Sequence, residues 1–388
     1  MPMNKHSLKV IFSSHEASEF KYIWLRDNCH CHSCIDSNSK QKLVDTAELD
    51  INISPTSFRV TENGQLELVW KENGDIHKSV YEPDWLYKYG RRLGTEAFHN
   101  EKDQVQLPPL EVWDRVSIWK NIPEISHKEV METTNGLHTW LEMIYKYGVA
   151  ILRNCPLDKN EILKVADRIA YVKNTIWGPT FDVVSEPVQS DPKHLAFTGR
   201  YLELHTDMNY REKSPGLQML HCLKASDLKK TGKDVGGKSF FVDGFYVAKW
   251  LEDHHPASFH VLTSTPVTFA IKSHSMRYSQ TIPVICVDKS GEVQEIHYNN
   301  RTLAPIQLPP HLVVPFYHAY KLMAQKMREP QSQLAFHMVP GDLVAFNNRR
   351  VLHGRTSFDP SKLERHLQGC YMDIDEVFTR YHSLIPEH

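Results

Sequence analysis

The sequence predicts a mainly β protein with flanking helices, arranged as a small N-terminal β domain followed by a larger domain in which helices and strands alternate. Three observations carry this. Residues 1–100 hold short strand-like runs, Leu8–Phe12, Ser57–Val60, Leu66–Trp70 and Ser79–Tyr81. Asn73-Gly74 reads as a hairpin turn between two of them, because Asn and Gly accept the positive φ angles that two-residue loops require. The stretch 100–110 (NEKDQVQLPPL) is polar and then proline-bearing, which marks a boundary. Across 113–388, apolar residues at helical spacing (Leu137–Tyr147, Glu161–Val172, Phe316–Met327) interleave with the strand-like runs Val149–Leu152, Leu217–Cys222, Lys238–Val242 and Asp342–Phe346.

Composition narrows the partners. A chain of 388 residues with 41% hydrophobic and 24% charged residues has ordinary globular chemistry. Lys and Arg number 45 against 47 Asp and Glu, so there is no net basic field to neutralise a phosphate backbone or hold an anionic membrane surface, and neither nucleic acid nor membrane is expected as a partner. No apolar run approaches the roughly 20 residues that span a bilayer, and the opening MPMNKHSL lacks the apolar region of a secretory signal. The expected location is cytoplasmic. Seven cysteines, three of them within six residues, suit metal ligation in a reducing compartment better than a disulfide framework.

The first cluster, Trp24–Cys34 (WLRDNCHCHSC), packs three thiols and two imidazoles into one short stretch. Thiolates at this density select zinc, which takes four ligands in a tetrahedron. Cys29, Cys31 and Cys34 leave one vacancy, for which His30, His32 and His77 all qualify. Such a site is structural, since four protein ligands leave no position for a substrate.

A second set reads as catalytic. The run Tyr201–Asp207 (YLELHTD) alternates into a His-x-Asp pair, and residues two apart on a strand point the same way. The spacing alone is weak: His99/Glu101 and His127/Glu129 share it, but only His205 ends a strand within the second domain. His353 follows the run Pro340–Phe346, and Arg365 lies twelve residues further on. Two histidines and one carboxylate on one face of a divalent ion, with open positions left over, are the ligand set of non-haem Fe(II) oxygenases. A chelating keto acid on that ion needs a bidentate cation for its distant carboxylate, which Arg supplies better than Lys and which Arg365 provides.

These residues, together with Gly216–Cys222 (GLQMLHC), Gly236-Gly237, Val242–Phe245 (VDGF), Asn299–Thr302 (NNRT) and Val351–Arg355 (VLHGR), make nearly the whole chain similar to the γ-butyrobetaine and trimethyllysine dioxygenases, a family of Fe(II)/2-oxoglutarate oxygenases. The resemblance implies a double-stranded β-helix (jelly-roll) core, iron held by His205, Asp207 and His353, 2-oxoglutarate anchored by Arg365, and zinc held by Cys29, Cys31, Cys34 and His77. It also implies O2 as oxidant, stimulation by ascorbate, and a homodimer.

Substrates of that family carry a trimethylammonium head, which aromatic faces bind by cation–π attraction. Carried over by position, the cage is Trp177, Phe181, Phe197 and Tyr371, and the first three depart from the family's usual aromatic. His194 stands where γ-butyrobetaine-oxidising members have a carboxylate-binding asparagine, Asn299 keeps the other one, and Met208 replaces a tyrosine. The expected reaction is hydroxylation of a small quaternary-ammonium acid, γ-butyrobetaine ahead of trimethyllysine, with 2-oxoglutarate converted to succinate and CO2. A related oxygenase of another amine and a zinc-stabilised interaction protein are the alternatives. The intact His205, Asp207, His353 and Arg365 set disfavours the latter.

Overall fold

A computed structural model of the protein describes residues 2–72, 74–90, 107–184, 199–226, 236–272 and 276–385. It divides into two compact units, Met1–Asp103 and Gln104–His388. Among the described residues no helix is long and apolar enough to cross a membrane.

In the first unit, β1 (Pro2–Asn4), β2 (Ser7–Ile11) and β3 (Ala17–Lys21) form one antiparallel sheet. A second sheet holds β4 (Ser57–Val60), β5 (Leu66–Glu72) and β6 (Asp75–Tyr81). Glu72 pairs with Asp75 across the turn, where Gly74 has a φ of 96°. Asn73 itself lies outside the described residues. Alternation decides the core: Leu66, Leu68 and Trp70 of β5 face inward, and they bury with Leu8, Phe20, Leu25 and Tyr81.

The second unit is a jelly-roll sandwich. The larger sheet has the order β7 (Glu124–Ser126), β8 (Val149–Arg153), β18 (Leu343–Asn347), β11 (Leu217–Ala225), β20 (Arg365–Met372) and β9 (Phe181–Val184). The smaller has the order β10 (Leu202–His205), β19 (Val351–Arg355), β12 (Ser239–Asp243) and β17 (Leu334–Phe336). Two hairpins, β13–β14 (Val267–Lys272, Arg277–Ile282) and β15–β16 (Ile285–Val287, Val293–Ile296), complete the strands.

Strand alternation sorts the apolar residues into layers. Val149, Ile151, Leu220, Val344 and Phe346 of the larger sheet meet Phe241, Leu334 and Val351 of the smaller one in a single buried cluster. The opposite faces are covered as well. Ala150, Leu152, Leu217, Met219 and Ala345 pack under the helices Thr134–Tyr147, Glu161–Asp167 and Ile374–Ser383. Leu204, Phe240, Val242 and Leu352 pack under the helices Gly244–His254, Pro256–Ser264 and Pro310–Arg328. Burial on both faces explains why these strands read as continuous apolar runs.

One helix is shorter than its sequence suggests. Glu161–Asp167 stops before Val172 because the chain is drawn to the larger sheet, where the Lys173 N–H donates to the Tyr371 carbonyl at 2.7 Å.

The turn between β18 and β19 is fastened by a buried ion pair. Arg350 donates to both oxygens of Asp243 (3.0 and 2.9 Å) and to the carbonyls of Lys146 and Glu111. Asp243 in turn accepts the backbone N–H of Trp113 and of Phe245, and so caps the helix Gly244–His254. Removing one partner leaves the other charge buried and uncompensated, a change that costs about 3–5 kcal/mol. Arg350→Met is therefore expected to lower unfolding free energy by about that amount, measured by denaturant titration; a loss within experimental error would show that the pair contributes nothing net.

Candidate active site

His205 is the last residue of β10, and it pairs directly with His353 of β19, so the two imidazoles lie side by side with ring centroids 4.2 Å apart. Asp207 reaches them by a different route from strand alternation. The strand ends at His205, the chain bends, and the loop is held by Asn348, whose Oδ1 accepts the Asp207 N–H at 2.7 Å. The Asn348 Nδ2 donates to the carbonyls of Asp207 and Pro215. The outcome is the expected cluster: ligand atoms of His205, Asp207 and His353 all lie within 4.8 Å of one another.

The electrostatics of the cluster favour a cation at its centre. His205 Nδ1 lies 2.8 Å from the Glu203 carbonyl; with the proton on that nitrogen, Nε2 presents a lone pair to Asp207 Oδ1, 3.3 Å away. His353 Nε2 lies 3.8 Å from Oδ2. Burial, reinforced by His205, pushes the His353 pKa down to about 3, so its ring is neutral near pH 7. Burial opposes the charged form of Asp207 too, but its interactions with His205, His353 and Arg301 outweigh it and hold the carboxyl well below its usual range. Two imidazoles and a carboxylate suit a divalent ion, and three protein ligands leave positions open on it.

These groups open into a cavity of about 420 Å³, a volume for small molecules rather than a macromolecular segment. Arg365 heads β20 and lines it, with Nη2 donating to Ser239 Oγ at 3.2 Å. Burial lowers its pKa to about 10, which leaves it charged at neutral pH. Trp177, Phe181, Met208, Asn299 and Tyr371 also line the cavity. Phe181 and Tyr371 stack at 5.0 Å, and the Tyr371 hydroxyl donates to Asp207 Oδ2 at 2.8 Å. Met208 is buried with a φ of 57°, a left-handed conformation unusual for a side chain of its size. His194 and Phe197 lie outside the described residues.

Asn299 lines the cavity and also fastens its own loop. It is buried, its Oδ1 accepts the Arg301 N–H (3.0 Å) and its Nδ2 donates to the Thr206 carbonyl (3.1 Å), so it ties the loop after β10 to the loop 299–301. Three other residues have no role assigned from sequence. Arg355 lines the same cavity, stacks on Phe358 at 4.6 Å, and has its pKa lowered to about 9 by burial and by the charge of Arg365. Arg301 lines it from the loop after Asn299. Asn348 fastens Asp207. Arg and Asn in loops read as surface residues, and the His-x-Arg spacing of 353 and 355, which puts both side chains on one face of a strand, was the one available signal.

In the N-terminal unit, Cys29, Cys31, Cys34 and His77 bring their ligand atoms within 4.8 Å of one another. His77 Nε2 lies 3.3, 3.7 and 3.6 Å from the three sulfurs in turn. The alternatives are taken up elsewhere or face solvent: His30 packs edge-on against Trp85 at 4.8 Å, and His32 is exposed. Burial raises the Cys29 thiol, while burial and the Cys29 charge push Cys34 up to about 12. Crowded thiols of this kind ionise when a metal is present to take the charge.

A jelly roll with this triad at the mouth of a small-molecule cavity has the fold and donor set of a non-haem dioxygenase. Residues 116–371 match the family model described as taurine catabolism dioxygenase TauD, TfdA family, and residues 2–87 match the γ-butyrobetaine hydroxylase-like N-terminal model. The γ-butyrobetaine dioxygenase of Pseudomonas sp. strain AK-1 is 34% identical over 373 residues, 96% of this chain and 92% of that one. The Homo sapiens γ-butyrobetaine dioxygenase is 30% identical over 385 residues, 98% and 94% of the two chains. The mitochondrial trimethyllysine dioxygenase of Bos taurus is 29% identical over 390 residues, 96% and 86% of the two. A solved structure of the non-heme iron oxygenase OrfP in complex with Fe and alpha-ketoglutaric acid superposes with a TM-score of 0.48 at 11% identity, over 66% of this chain and 84% of that one. The chain belongs to the γ-butyrobetaine and trimethyllysine dioxygenase family of TauD/TfdA dioxygenases.

Asn348→Leu keeps the side-chain size but deletes the three hydrogen bonds of Asn348 to the Asp207 N–H, the Asp207 carbonyl and the Pro215 carbonyl. Divalent metal affinity at the triad is expected to fall about 10- to 100-fold, the usual effect of losing an outer support of a metal ligand. Cobalt(II) titration followed by absorbance measures it, and unchanged affinity would show that Asp207 is positioned by other contacts.

Proposed function

We propose that this dioxygenase hydroxylates a small quaternary-ammonium acid, γ-butyrobetaine ahead of trimethyllysine, using Fe(II), 2-oxoglutarate and O2. One observation carries the reading: a single cavity joins the His205, Asp207 and His353 cluster to a buried guanidinium, Arg365, and to the aromatic faces of Trp177, Phe181 and Tyr371. In this reading iron is held by His205 Nε2, Asp207 and His353 Nε2. When bound it supplies the O2 activation that converts 2-oxoglutarate to succinate and CO2 and hydroxylates a C–H bond.

The protein's share is orientation. Arg365 grips the distal carboxylate of 2-oxoglutarate, with the Ser239 hydroxyl fixing one edge of its fork. Surrounding apolar side chains exclude water and so strengthen that ion pair. Trp177 and the Phe181–Tyr371 stack offer faces that attract a quaternary ammonium without hydrogen bonds. Phe197 and His194, outside the described residues, are included in this reading as substrate-binding residues. The Tyr371 hydroxyl fixes the rotation of the Asp207 carboxylate. Relatives named γ-butyrobetaine dioxygenase at 34% and 30% identity support this substrate over others. Met208, at the position after Asp207, is the observation that favours a second reading, a related amine as substrate.

The same proposal places a structural zinc on Cys29, Cys31, Cys34 and His77 within an N-terminal domain of residues 1–100, with the oxygenase domain at 113–388. It includes a cytoplasmic homodimer whose turnover is stimulated by ascorbate.

Protein loaded anaerobically with Fe(II) and then given O2 is expected to couple succinate formation to a 16 Da mass gain on γ-butyrobetaine, as one added oxygen atom requires; 2-oxoglutarate turnover without a gain on any quaternary-ammonium acid would overturn the reading. Elemental analysis is expected to find zinc that resists mild chelation and to lose it in Cys34→Ser, with the N-terminal unit melting earlier. Zinc retained in that variant would assign the metal elsewhere.

A further inference from the structure

Charge in the cavity is unbalanced. Among the described lining residues Arg301, Arg355 and Arg365 are cationic, and Asp207 is the sole carboxylate. A divalent metal and a doubly negative keto acid cancel each other and leave that surplus in place. Arg365 has its assigned partner in the keto acid, and Arg355 donates to the Arg200 carbonyl while stacked on Phe358. Arg301 is different. Its backbone N–H is bound to Asn299, but its guanidinium makes no hydrogen bond or ion pair with any described residue. Its side chain is exposed at the cavity lining, near enough for the charge of Asp207 to act on it without contact.

Asn299, two residues earlier, is the amide expected to meet a substrate carboxylate, yet it spends its carbonyl and one N–H on the protein's own backbone. Its hydrogen bonds instead set the direction of the loop that presents Arg301. We infer that Arg301 holds the carboxylate of the substrate, in place of the amide pair expected from the family, with Asn299 as a positioning residue. The inference rests on the quaternary-ammonium acid reading for the identity of the substrate's other end. A guanidinium presents a two-pronged donor to a carboxylate, which fixes the acid's plane as well as its place. The target C–H bond is then held between that anchor and the aromatic faces.

The test compares three probes: γ-butyrobetaine, its carboxamide, and the tert-butyl acid in which carbon replaces the quaternary nitrogen. Dissociation constants come from tryptophan fluorescence of nickel-substituted protein with 2-oxoglutarate bound, since Trp177 lines the cavity; KM values come from the iron enzyme. Wild-type protein is expected to bind the acid about 10- to 100-fold more tightly than the carboxamide, and Arg301→Gln to lose that preference. Arg301→Met gives the same test should the Gln variant fail to fold. A preference retained in the neutral variant overturns the inference. So does an equal loss of 2-oxoglutarate affinity, which would assign Arg301 to the co-substrate. Equal binding of the tert-butyl acid and γ-butyrobetaine would overturn the quaternary-ammonium reading alone, because the acid preference and its dependence on Arg301 are measured separately.

Discussion

Lone pairs forced together are the constraint on which the second unit depends. Two imidazole nitrogens and a carboxylate face one another at 3.3 and 3.8 Å in a buried place, an arrangement that a cation between them relieves. The sandwich is organised to hold them there. Pairing of β10 with β19 sets the imidazoles side by side, and the turn that leads into β19 fastens everything around them. Its three residues each reach a different element: Asn348 the Asp207 loop, Arg349 the Ser214 carbonyl and Glu295, Arg350 the Asp243 cap. One short turn thus links the metal-facing loop, a hairpin and a helix start, and a shift in any of them is felt at Asp207.

The two candidate metal centres differ in what they leave open. Cys29, Cys31, Cys34 and His77 supply four ligands, which saturate a tetrahedral ion and make it part of the fold. His205, Asp207 and His353 supply three, so reactants can complete the shell. Their supports differ accordingly. The cysteines sit on a tight local loop whose backbone bonds run from Cys34 and Ile35 to Cys31, with Arg26 directed at the Cys34 sulfur. The triad is drawn from segments almost 150 residues apart and needs the whole sheet to assemble it.

Much of this was legible in the sequence, and the failures have physical causes. Strands β8, β11, β12 and β18 announce themselves as apolar runs because each is covered on two faces, and the cysteine cluster is visible because ligand density does not depend on tertiary structure. His205, Asp207, His353 and Arg365 could be chosen because motif and strand context agreed, although Asp207 arrives through a bend that no periodicity encodes. The end of the helix at Asp167 was not legible: a hydrogen bond to Tyr371, some 200 residues away, decides it. The fourth member of the cysteine cluster stayed open for the same reason, since only the folded sheet shows that His77 joins it while the ring of His30 packs on Trp85. Arg301 and Asn348 have side chains that usually face solvent, so nothing local distinguishes them from surface residues, and Arg355 is marked only by its spacing from His353.

The aromatic wall also depends on a residue that contributes no atoms to it. Phe181 of β9 lies across from Gly369 of β20, and a Cβ at 369 would come within 2.2 Å of the ring. The ring leans over the sheet into that bare position and from there stacks on Tyr371. Glycine here acts as a spacer that sets how far the wall stands from the reacting centre. Positions 181 and 369 are consequently one unit of shape: a methyl at 369 accommodated by a smaller residue at 181 would move the wall as a whole, and the two changes would not add as independent ones do.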